Sequence, residues 1–198
     1  MSPENRDVYS GLSHAAWGYF FLHFDFNLNS VSIFPRFVGW LLLLSACTKL
    51  SGVRRDLALL RPLCALLAVW HGLDWLLSWG GENVGGHVLF LDLLIAVAGL
   101  YFHFQFLTDL AALAERCQPE GAGLDRQLCR RRTLYVVLIT LLALLGDLGL
   151  LVKLPEHWGE WVAMGMALAA LMAAFLIMAA LFRLRRCFRE GADQPSAS

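Results

Sequence analysis

Apolar residues fall along this chain in long blocks broken by short polar stretches. A helix needs about 20 apolar residues to cross a hydrocarbon core, with about 17 as the lower limit. Six segments meet or approach that length: 9–26, 34–50, 58–79, 86–110, 133–153 and 158–183. The first is the weakest, being short and interrupted by His14, His23 and Asp25. The second opens at Pro35, which a first helical turn tolerates. The fourth is long and continues as an amphipathic extension through Asp109 and Glu115. The breaks at 27–33, 80–85 and 154–157 are short, and short connections make antiparallel neighbours. The pattern predicts an all-α fold: a polytopic transmembrane helical bundle of six spans, built as three hairpins. It forms one domain over 1–190, with 191–198 a disordered tail.

Composition agrees. The 198 residues are 58% hydrophobic and 16% charged, with a mean hydropathy of +0.58. A soluble domain is nearer about 45–50% apolar and about 25% charged. Sixteen basic and sixteen acidic residues cancel, so charge points to no nucleic-acid partner.

The basic residues set the orientation. With six spans, all but Arg36 and Lys153 fall on one side: Arg6, then Lys49 to Arg61, then Arg116 to Arg132, then Arg183 to Arg189. Such a bias marks the cytoplasmic face, so both termini are expected there. None of the five cysteines falls on the outer side, as a reducing compartment would have it. No cleavable leader is expected. Leu44-Ser45-Ala46-Cys47 looks like a lipoprotein cleavage box, but its use would carry Lys49, Arg54, Arg55 and Arg61 outside.

The outer boundary carries Trp75, Trp79, Trp158 and Trp161, as an aromatic belt would. In the last helix Ala163, Ala167, Ala170 and Ala174 form one small-residue stripe, and Gly165, Ala169 and Ala173 another. Such spacing lets helices approach closely, within the chain or in a homo- or hetero-oligomer. Arg130-Arg131-Arg132 and Arg183-Leu184-Arg185-Arg186 could touch anionic lipid, beyond anchoring topology.

Candidate chemistry lies in the acids. Asp25, Asp74, Glu82, Asp92, Asp147, Glu156 and Glu160 fall in the outer half, against two fixed cations. Asp74, Asp92 and Asp147 lie inside apolar helices, where ionisable groups face the bundle interior. His71 precedes Asp74 by three residues and shares its face with Trp75 and Ser78. Asp92, Gly99 and His103 align on another helix, and that glycine would admit a close neighbour. Should these faces converge, His71, Asp74, Asp92 and Asp147 line an outward pocket for a proton, a cation or a polar small molecule. The alternative is that each acid hydrogen-bonds locally and fixes packing.

The first outer loop reads Asp25-Phe26-Asn27-Leu28-Asn29, the first half of a calcium loop. Ser30 stands where glycine is needed and Arg36 where a bidentate glutamate belongs. Asp25, Asn27 and Asn29 are therefore expected to cap the second helix, with Asp25 paired to Arg36.

Phe24-Asp25-Phe26-Asn27-Leu28-Asn29 with Ile33-Phe34-Pro35-Arg36-Phe37-Val38-Gly39-Trp40 resembles the opening hairpin of a group of uncharacterised bacterial multi-pass membrane proteins. Their pattern is F-D-x-N-x-N, a short gap, then I-x-P-x-F-x-G-[YW], with an acid where Arg36 stands here. The resemblance implies a bacterial cytoplasmic-membrane protein and no particular activity. Motifs of hydrolases, zinc proteases and nucleotide-binding loops are absent, and no cofactor or metal is identified. Three readings stay open: a small transporter-like or sensing protein, a non-catalytic accessory subunit, or an intramembrane metal-dependent hydrolase on His71, Asp74, Asp92 and Asp147.

Overall fold

The computed structural model describes residues 3–23, 27–28, 31–32, 35–79, 89–118, 123–147 and 156–193. Helices α1 (Pro3–His23), α2 (Arg36–Leu50), α4 (Arg61–Ser78), α5 (Leu89–Cys117), α6 (Leu124–Asp147) and α7 (Glu156–Asp193) build the body. A single turn, α3 (Asp56–Leu59), precedes α4. Strands β1 (Asn27–Leu28) and β2 (Val31–Ser32) pair antiparallel between α1 and α2, with Asn27 opposite Ser32.

Packing follows chain order. α1 lies on α2, α2 on α4, α5 on α6, α6 on α7, and α7 returns to α1; α4 and α5 touch more lightly and complete a ring. Each helix sends apolar side chains inward, among them Leu12, Leu43, Leu67, Phe106, Leu128 and Ile177. The α1–α2 crossing is the tightest described. A Cβ on Gly39 would lie 2.9 Å from the Gly18 carbonyl oxygen, and one on Gly18 would lie 3.1 Å from that of Gly39. Only hydrogen at both positions allows the backbones so near.

Large apolar side chains also cover much of the outside. On α4, Leu66, Val69, Leu73 and Leu76 are exposed at helical spacing. On α5, Phe90, Leu94, Val97 and Tyr101 are exposed too. Contiguous apolar surface of this kind marks contact with lipid or a partner. Among the described residues, three helices are long and apolar enough to cross a membrane: Asp56–Ser78, Phe90–Cys117 and Trp161–Arg189. Their apolar windows are only 28%, 28% and 33% buried within the protein. This is a membrane protein in which lipid, not water, suits the outer faces.

The helices extend past the apolar runs that announced them. α1 starts at Pro3 rather than residue 9, α6 at Leu124 rather than 133, and α7 continues to Asp193 rather than 183. Their polar turns satisfy their own backbone hydrogen bonds, so a helix need not stop where its apolar face does. Pro35 holds the N-cap of α2 with no side-chain cap bond among the described residues; of the residues expected to cap it, Asp25 and Asn29 and the side chain of Asn27 lie outside what is described.

Candidate functional site

Tyr19 and His23 are four residues apart on α1 and so share one face, turned into the ring. His23 Nδ1 lies 2.9 Å from the Tyr19 backbone carbonyl. A carbonyl oxygen only accepts, so Nδ1 carries the hydrogen. In the neutral ring Nε2 then accepts, and the Tyr135 hydroxyl from α6 donates to it at 2.7 Å. The Tyr19 hydroxyl meets His103 Nδ1 of α5 at 3.1 Å. Tyr19, His103 and Tyr135 are enclosed by protein, and His23 and His103 are near enough to feel each other's charge. Tyr135 stands edge-on to His103 at 5.2 Å and to His23 at 5.3 Å between ring centres.

Trp40 of α2 extends the cluster. Its ring lies 5.3 Å from His103 and stacks on His71 of α4 at 6.0 Å with an angle of 4°. Its indole Nε1 is buried without a hydrogen-bond partner among the described residues. His71 in turn interacts electrostatically with Arg36 and Asp74. The Trp40 ring, which carries no titratable group, thus lies between His71 of α4 and the cluster of His103, Tyr19, His23 and Tyr135. A shallow cleft between α1 and α7 is lined by Tyr19, His23, Leu171, Ala174 and Met178 among others.

Of the residues singled out in the sequence, the structure brings His71 into electrostatic reach of Asp74 and Arg36. Asp74 and Asp92 are half-buried on α4 and α5. Asp147 ends the described part of α6, and its side chain lies outside the described atoms. No group of three His, Cys, Asp or Glu side chains forms a metal-binding set among the described residues. Gly99 does not mark a close approach: a Cβ there would meet nothing within 4 Å. The small-residue face of α7 divides. Ala170, Ala173 and Ala174 are buried within the chain, whereas Gly165 and Ala167 are exposed. All five cysteines are free thiols.

Two features escaped the sequence reading. The first is the histidine–tyrosine cluster, whose members come from helices far apart in the chain; only the Tyr19/His23 spacing hinted at it. The second is the enclosure of Asp109, which the sequence placed on an amphipathic extension of its helix without saying which way it turned. Arg54 Nε donates to its Oδ1 at 3.0 Å and Gln105 Nε2 to its Oδ2 at 3.3 Å. The flanking Leu107, Leu110 and Leu113 show that α5 keeps an inward face to its end. No family model, curated protein or solved structure matches the chain.

Chemically, the cluster holds two imidazoles and two phenols in hydrogen bonds of ordinary length. Such groups accept, hold and release protons, and their neutral forms suit a medium where net charge is costly.

Proposed function

We propose that this chain is a six-span protein of the bacterial cytoplasmic membrane, with both termini in the cytoplasm. In this reading it takes up protons from the outer side and passes or senses them within the bundle. The acids Asp74, Asp92 and Asp147, with His71, collect the proton or an accompanying cation at the outer mouth. Arg36 sets the local charge beside them. His103, Tyr19, His23 and Tyr135 hold it deeper. The observation that carries the reading is the pair of hydrogen bonds, Tyr135 to His23 and Tyr19 to His103, which join α1, α5 and α6 inside a bundle with lipid-suited outer faces. The basic residues at the opposite end support the orientation. A second reading is a non-catalytic accessory subunit. It is favoured by the exposed outer part of α7, where Gly165 and Ala167 leave room for another helix.

The test is proton flux. The full chain is reconstituted into vesicles loaded with a pH-sensitive dye, and an acid step is applied outside. Proton entry should exceed that of protein-free vesicles. His23→Gln and Tyr135→Phe should slow it by about a hundredfold, the lower end of what a positioned proton-transfer group contributes. Helix content should be unchanged. Entry equal to that of protein-free vesicles, or a His23→Gln protein as fast as the wild type, refutes proton passage and leaves the accessory reading.

A further inference from the structure

At the arginine-rich end, cations tie α1 to α2, α2 to α4, α5 to α6, α6 to α7 and α7 to α1, and a further arginine from the segment after α2 reaches α5. Lys49 of α2 donates to Ser10 of α1 at 2.6 Å, and Arg61 of α4 to the Thr48 carbonyl and Ser51 hydroxyl at the end of α2. Arg54 reaches Asp109 of α5. Arg132 of α6 donates to Thr108 of α5 at 2.7 Å and lies over the Phe104 ring. Arg131 of α6 donates to the Leu176 carbonyl of α7, and Arg185 of α7 to Ser13 of α1 at 3.0 Å. Among the described residues, Arg54 is the only one of these cations offset by an acid. The others spend their hydrogen bonds on neutral oxygens, so the collar keeps a net positive charge.

The excess is concentrated at the α6–α7 seam. Arg131 lies close enough to Arg183 for their charges to repel. Arg130 and Arg183 are exposed beside it. On α6 the exposed stripe Leu141, Val137, Leu134 ends in Arg130; on α7 the stripe Met172, Leu176 ends in Arg183. On each helix an apolar stripe thus runs towards the arginine-rich end and finishes in a guanidinium group. Free phosphate would use only the guanidinium end. A phospholipid uses both, its acyl chains against the leucines and its phosphate between the arginines.

We propose that Arg130, Arg131 and Arg183 form a binding site for the headgroup of an anionic phospholipid, whose acyl chains lie along the exposed apolar stripes of α6 and α7. The site requires the helices to lie in lipid but is independent of proton passage. It is tested by native mass spectrometry of the full chain in neutral detergent, titrated with phosphatidylglycerol, phosphatidylcholine or inorganic phosphate. Phosphatidylglycerol should bind at least about fivefold more tightly than phosphatidylcholine, as about 1 kcal/mol per basic residue at a membrane surface implies. Arg183→Gln and Arg130→Gln should each remove most of that preference. Arg55→Gln, an exposed arginine beside α3, should leave it intact. Equal binding of the two lipids, phosphate binding as tightly as phosphatidylglycerol, or equal losses in Arg55→Gln and Arg183→Gln would each overturn the site.

Discussion

Asp109 is fully enclosed, and its principal partner, Arg54, has a side chain 24% exposed. Removing one member of a buried pair typically costs about 3–5 kcal/mol, because the other charge is stranded, whereas exposed pairs contribute about 0.2–1 kcal/mol. This pair lies between those limits. Arg54 also reaches Asp56 at 3.1 Å, itself 56% exposed, so it keeps a partner when Asp109 is neutralised. Asp109 would keep only Gln105 when Arg54 is lost. Arg54→Gln should therefore cost more, about 3 kcal/mol, than Asp109→Asn, about 2 kcal/mol. The double variant should cost at least about 1 kcal/mol less than the sum. Unfolding by SDS in mixed micelles, followed by helical circular dichroism, measures all three. A loss under about 0.5 kcal/mol for Arg54→Gln, or simple additivity, would show that the pair behaves as a surface contact, and the enclosure of Asp109 would be refuted.

Gly39→Ala should destabilise the protein by about 1–3 kcal/mol, since its Cβ would press on backbone as well as on Leu22. Gly99→Ala, with open space around it, should be neutral or stabilising by up to about 1 kcal/mol; equal effects in the same assay would contradict the α1–α2 crossing. At the α5–α6 turn, the side-chain amide of Gln118 donates to Asp125 at 2.8 Å, and this bond, with the Arg126 backbone N–H, holds the Asp125 carboxyl below its usual value. A depressed folded value stabilises the protein above the ordinary carboxylate range and loses that effect as pH falls below 3.8. Gln118→Ala should move the Asp125 midpoint, read by NMR, back towards 3.8; an unmoved midpoint would refute the assignment.

The helices were legible because each apolar run is long and bounded by polar residues. Their ends were not, because Arg126 and Arg130 to Arg132 extend α6 without adding apolar surface. The inward turn of Asp109 was hidden for another reason. Asp109 and Glu115 are six residues apart on α5, which places them on different faces, one enclosed and one exposed. Only the partner from a distant loop, Arg54, makes the enclosed position tolerable, and no periodicity reports that pairing. His103 could be placed on its helix face, but its bond to Tyr19 spans 84 positions of chain. Gly39 carried no local signal, since its role exists only where Gly18 crosses it.

In the proposed topology the helices cross the membrane with the arginine-rich end in the cytoplasm. Impermeant maleimide labelling of single cysteines in a cysteine-free background tests this directly. Trp79→Cys, at an exposed site just past the end of α4, and Glu115→Cys, at an exposed site near the end of α5, are compared in intact and permeabilised cells. Trp79→Cys should react in intact cells and Glu115→Cys only after permeabilisation. Ready labelling of Glu115→Cys in intact cells, or protection of Trp79→Cys there, would contradict the orientation on which the outward site depends.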